Sequence, residues 1–128
     1  MKVVGLNGRT YELDIKKYIV DNEDSRPRSQ YHIKARSLLH DMVKGYEILE
    51  EVKLPGSRNP ALKSALFLDF FIPKLSLAIE VHNKQHYEYS KFFHKTKAGF
   101  IESQNRDRLK HDWCENNHIQ LIVLICQK

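Results

Sequence analysis

Two apolar segments, each carrying one acid near its middle, constrain this chain more than any other feature. Phe67-Leu68-Asp69-Phe70-Phe71-Ile72-Pro73 is followed closely by Leu77-Ala78-Ile79-Glu80-Val81-His82. Both read as strands, Ala65 to Ile72 and Leu75 to His82, joined by a Pro73-Lys74 turn. A turn centred near Lys74 sets Asp69 opposite Glu80, with Cβ atoms roughly 5 Å apart. Carboxylates that close repel unless a cation lies between them. In the second strand, Leu75, Leu77, Ile79 and Val81 fall on one face and Ser76, Ala78, Glu80 and His82 on the other.

Around this pair the chain alternates strand and helix patterns. Val3 to Leu13 reads as a hairpin turning at Asn7-Gly8. Asp14 to Val20 is a short helix or strand, and Asp21 to Arg28 is a polar, proline-containing linker. Ser29 to Val43 is a helix capped by Ser29, with an apolar stripe of Ile33, Leu38, Leu39, Met42 and Val43. Tyr46 to Leu54 is a strand. Phe100 to Asn116 is a second helix, and Ile119 to Ile125 a last buried strand. The expectation is an α/β (α+β mixed) domain: residues 1–28 as an extension, residues 29–128 as the core, with helices on a mixed sheet.

The 128 residues suit one domain with a real core, and the net charge of +5 favours a polyanionic partner. Two cysteines, Cys114 and Cys126, make no disulfide framework. The longest apolar run, Leu121 to Cys126, is far below the ~20 residues a membrane helix needs. The expectation is therefore a soluble, cytoplasmic protein without a membrane partner.

Oxygen ligands such as Asp69 and Glu80 suit Mg²⁺, with Mn²⁺ as a substitute. A pair of solvent-facing acids on a half-exposed sheet is the plainer alternative. His82 shares the face of Glu80, and His86 follows four positions later. Either histidine suits proton transfer. Gln104, Asp107, Arg108 and His111 share one helix face, opposite Ile101, Leu109 and Trp113. Asp107 is a candidate to orient His86 or a metal-bound water, and Arg106, Arg108 and Lys110 to hold phosphates. Lys84, Gln85, Lys91, Lys95 and Lys97 bracket a loop that would meet a nucleic-acid backbone. A zinc site from His82, His86 and Cys114 or His94 is the weaker option, because the cysteines lack a short pair spacing.

These segments together resemble the PD-(D/E)XK nuclease superfamily. The resemblance lies in LDFFIP at Leu68 to Pro73, LAIEVHNKQHY at Leu77 to Tyr87, and the spaced Gln104, Arg106, Asp107, Arg108, Lys110, Trp113 and Cys114. It spans about Ser29 to Ile125 and is nearest to the very-short-patch-repair-like branch, which includes phage and homing-type endonucleases. A phage origin fits that branch. The resemblance implies a restriction-endonuclease-like sheet flanked by helices and metal-dependent cleavage of DNA. It implies metal ligands Asp69 and Glu80, with His82, His86 and Asp107 completing the catalytic set. Two departures stand out. His82 occupies the place of the usual lysine, and the first helix has no glutamate. Glu47, Glu50 and Glu51 are the candidates to replace that glutamate, the strand-borne Glu51 first. A non-catalytic DNA-binding module and an RNA nuclease are the alternatives. Homodimerisation, or a partner protein that supplies specificity, is compatible with the small size.

Overall fold

The computed structural model describes residues 1–19, 29–58, 65–82 and 97–125. Among them are two helices, α1 (Gln30–Met42) and α2 (Lys97–Asn116). The strands are β1 (Lys2–Val4), β2 (Thr10–Glu12), β3 (Leu49–Lys53), β4 (Phe67–Ile72), β5 (Leu77–His82) and β6 (Gln120–Ile125). Four of them form a mixed sheet in the order β3-β4-β5-β6, antiparallel except for the parallel β5-β6 pair. The expected mixed α/β architecture and element order are present. No helix among the described residues is long and apolar enough to cross a membrane.

Strand β5 is buried on both faces, which explains its near-continuous apolar run. Ala78 belongs to a core cluster that includes Leu49, Leu68, Phe71, Trp113 and Cys114. Ile79 belongs to a second, with Phe70, Ile72, Ala35 and Leu39 of α1. The acids therefore do not sit on a solvent-facing sheet. In the first cluster, Trp113 is fully buried and its Nε1–H donates to the Pro55 carbonyl at 2.8 Å. The hairpin adds Val3 and Leu13 to the same cluster.

Four expectations need correction. The packed face of α1 is His32, Ala35, Arg36 and Leu39, while Ile33, Leu38 and Met42 are exposed. An i, i+3, i+4, i+7 face does form, but two of its members are basic, and Glu50 on β3 compensates them. On α2, Ile101 is exposed rather than core-facing. β6 is an edge strand with Ile122 and Ile125 exposed among the described residues, not a buried one. The hairpin closes through a loop from Gly5 to Arg9, in which Gly8 (φ 81°) has positive φ and Asn7 does not. Asn7 instead accepts the Arg9 N–H on its side-chain oxygen at 3.0 Å, a local turn bond.

Asn117, just past α2, clamps the hairpin. It accepts the Val4 N–H at 2.6 Å and donates to the carbonyls of Val4 and Trp113, both at 2.8 Å. Alanine at Asn117 removes three bonds of roughly 1 kcal/mol each. The expected loss is on the order of 1–3 kcal/mol in urea unfolding, with earlier hydrogen exchange at Val4. An unchanged midpoint and unchanged exchange would refute the clamp.

Candidate active site

β4 and β5 pair as Phe70↔Ile79, Phe71↔Ala78 and Ile72↔Leu77. One further step sets Asp69 against Glu80, as the turn geometry predicts. There the backbone ladder gives way to side chains. The Asp69 N–H donates to Glu80 Oε2 at 2.7 Å, and the Val81 N–H donates to Asp69 Oδ2 at 2.8 Å. Each carboxylate thus accepts an amide of the opposing strand, which fixes both side chains. On the other side of β4, Glu51 has a positive φ of 49°, so β3 is also distorted beside Asp69.

Glu80 is buried and Asp69 half-buried, and this has an electrostatic consequence. Burial and the neighbouring Glu80 charge push the Asp69 carboxyl up to about 6, with partial relief from the Val81 N–H and Lys110. Lys110 comes from the middle of α2, and its Nζ donates to Glu80 Oε1 at 2.6 Å. Lys110 therefore points into the site instead of outward to a phosphate backbone. An ammonium does stand beside the acids, although the strand position of the usual lysine is held by His82.

His82 is buried at the end of β5, with Nε2 4.0 Å from Asp107 Oδ1 on α2. That separation exceeds a hydrogen bond. Ligand atoms of Glu80, His82 and Asp107 lie within 4.8 Å of one another. Asp107 thus stands beside His82, and His111, exposed on the same predicted face, borders that side of the site, while Gln104 and Arg108 are exposed. Arg106 is tied within its own helix, 3.3 Å from Ser103 Oγ and 3.6 Å from Glu102. Lys97 is exposed at the start of α2. Lys84, Gln85, His86, Lys91, His94, Lys95 and Cys126 lie outside the described residues. Cys114 is buried, and burial with the nearby Glu80 charge pushes its thiol up to about 12, which disfavours a thiolate zinc ligand.

A cavity of about 270 Å³ opens where β4 and β5 diverge, lined by Asp69, Glu80, His82 and Lys110 with the first turn of α1. That turn brings in Ser29, Tyr31 and His32. Ser29 is the cap, accepting the His32 N–H on its Oγ at 3.1 Å. The first turn itself holds no acid.

His32 is the site residue that the sequence pattern did not single out. Its Nε2 lies 2.6 Å from Glu50 Oε1, and its ring stacks on Phe70 at 4.4 Å. Arg36 grips the same carboxylate in a fork, Nε to Oε2 at 2.7 Å and Nη2 to Oε1 at 2.8 Å. Burial pushes the Glu50 carboxyl up, but the hydrogen bonds and charges of His32 and Arg36 outweigh it and bring it below the usual range. Of the three glutamates considered as replacements, Glu47 and Glu51 are exposed and Glu50 is committed to this ion pair. The helix position facing the acids thus carries an imidazole, with a carboxylate behind it. An His–Glu pair separated by a loop and joined only in the fold leaves no spacing signal in the sequence.

No protein-family model matches the chain, and no solved structure matches it. Its relatives are viral proteins without an assigned role. The chain is 40% identical over 65 residues to uncharacterized protein 033L of Invertebrate iridescent virus 3, covering 51% of this chain and 34% of that one. It is 42% identical over 57 residues to protein 307L of Invertebrate iridescent virus 6, covering 44% and 29%. Protein 094L of Frog virus 3 is 38% identical over 74 residues, covering 57% of this chain and 48% of its own length. The chain is thus similar to segments amounting to less than half of each of these curated viral proteins.

Proposed function

We propose that this protein is a divalent-metal-dependent endonuclease of the restriction-endonuclease-like fold, hydrolysing DNA phosphodiester bonds. The observation that carries the reading is the opposed Asp69–Glu80 pair, half-buried and buried, at a cavity shared with Lys110 and two histidines. A carboxyl pushed up by burial and by a second carboxylate is a site that gains from a cation. Asp69 and Glu80 would hold Mg²⁺, or Mn²⁺ in its place. Glu80 and Asp107, grouped with His82, add carboxylate oxygens of the kind that suit Mg²⁺ and Mn²⁺. Such an ion supplies Lewis acidity at a phosphoryl oxygen and a more acidic water.

The protein's own residues complete the reading. The first turn of α1 offers backbone amides and its dipole to a phosphate. Lys97 and Arg108, exposed on α2, are candidates to hold the backbone. With no added reading module evident in the sequence, binding is directed by backbone or by DNA structure, and affinity falls steeply with salt.

The test is cleavage of supercoiled and branched DNA, and of matched RNA, in Mg²⁺, Mn²⁺ and EDTA. The expected result is metal-dependent nicking of DNA that EDTA abolishes. Binding without cutting in either metal would overturn the enzyme in favour of a non-catalytic DNA-binding module. Cutting confined to RNA would overturn the substrate.

A further inference from the structure

The buried trio of His32, Glu50 and Arg36 is more elaborate than packing requires. The Arg36 fork alone satisfies both oxygens of Glu50 in the bidentate geometry that such pairs favour. A third group on Glu50 Oε1 is not needed to neutralise it. What the carboxylate does for His32 is different: it fixes the ring. An ionised carboxylate only accepts, so Nε2 must carry the hydrogen across the 2.6 Å contact. In the neutral ring Nδ1 then holds the lone pair, whereas the imidazolium has none. Stacking on Phe70, at an interplanar angle of 21°, opposes rotation of the ring.

No hydrogen bond to Nδ1 is present among the described residues, and the side chain, 8% exposed, borders the cavity of Asp69 and Glu80. Arg36 and Glu50 stand behind the ring. The charged and titratable groups across the cavity are Asp69, Glu80, His82 and Lys110. The Asp107 carboxylate lies 4.0 Å from His82 Nε2. A neutral histidine with one nitrogen clamped to a buried carboxylate, on the wall of a cavity that holds two acids, suits a general base.

Building on the nuclease reading above, we propose that His32 is the proton acceptor of the hydrolysis and that Glu50, gripped by Arg36, is its positioning residue. The attacking water's O–H bond breaks and its proton moves to Nδ1. The freed electron pair forms the new P–O bond. The P–O3′ bond breaks, its electron pair stays on the 3′ oxygen, and that oxygen is protonated from solvent. Glu50 stabilises the imidazolium that forms, as carboxylates do behind catalytic histidines.

Two measurements test this. Single-turnover cleavage compares wild type with His32→Gln, which keeps a polar side chain but cannot accept the proton. The expected rate loss is about 10²–10⁴-fold, with DNA Kd within about twofold, since general-base loss acts on the chemical step. Imidazole ¹⁵N shifts of the wild-type protein should show the Nε2–H tautomer at His32, and Glu50→Gln, which can donate to Nε2, should reverse it. Full-rate cleavage by a folded His32→Gln protein, or an Nδ1–H tautomer in wild type, would overturn the proposal while leaving the nuclease reading intact. A wild-type protein that cuts nothing with either metal overturns the nuclease reading, and this proposal with it. The ¹⁵N spectrum needs no variant, so a His32→Gln protein that fails to fold does not shield the proposal.

Discussion

Asn at position 69 will end metal-dependent cleavage and at the same time stabilise the protein in EDTA. The loss of cutting should be at least about 10³-fold, because the variant removes a charged oxygen from the pair proposed to hold the ion. The gain in stability follows from the same charge. The Asp69 carboxyl sits at about 6 in the fold, against an ordinary value of 3.8. Between those values the unfolded chain gives up its proton before the folded one does. Stability contributed by the protonated group is therefore complete below pH 3.8 and is lost as pH rises through about 6. Above that the ionised group costs on the order of 2–3 kcal/mol. Asparagine carries no charge yet still offers an oxygen to the Val81 N–H. Thermal melts in EDTA should give a higher Tm for the variant at pH 7.5 and a vanishing difference near pH 4. Saturating Mg²⁺ or Mn²⁺ should raise the wild-type Tm and leave the variant's nearly unmoved. Equal pH profiles for the two proteins would show that Asp69 is not under this strain, and undiminished cleavage would remove it from the site.

That pairing was legible because it is local. Nearly equal steps outward from the turn at Lys74 reach Asp69 and Glu80, and a strand has a period of two, so little else can intervene. Elements with a clear period and a clear stop were equally readable: α1 begins at its Ser29 cap, and Gly45 (φ 87°) follows its end. What could not be read depends on partners distant in the chain. The apolar residues of α1 suggested a stripe through Ile33, Leu38 and Met42. The helix instead buries His32 and Arg36, because Glu50, 14 residues beyond Arg36, meets them with a carboxylate. Polarity patterning treats a basic residue as outward-facing, and only the fold shows the acid that permits it inside. Lys110 was misread for the same reason. On a helix wheel it belongs with the phosphate-facing bases, but Glu80 draws it inward across 30 residues. Residues that compensate one another across the fold are where sequence logic fails, and here they surround the cavity.

Arg36→Met should be strongly destabilising. Arg36 and Glu50 have side-chain exposures of 3% and 0%. Removing the guanidinium leaves a carboxylate out of water with only the His32 contact, a change that costs about 3–5 kcal/mol in comparable buried pairs. The paired variant Arg36→Met with Glu50→Leu should recover most of that loss, since apolar side chains of similar volume often replace a buried ion pair without penalty. Urea unfolding of wild type, both single variants and the double variant closes a thermodynamic cycle that isolates the coupling. A cost below about 1 kcal/mol for Arg36→Met would mean that solvent reaches Glu50. Cleavage separates what stability alone cannot. The double variant regains its fold but has no carboxylate behind His32, so nothing fixes the ring's tautomer. It should remain slow in single-turnover cleavage while binding DNA normally. If the double variant cuts at the wild-type rate, the trio is a packing device, and the burial of three ionisable groups beside the cavity serves the fold rather than the reaction.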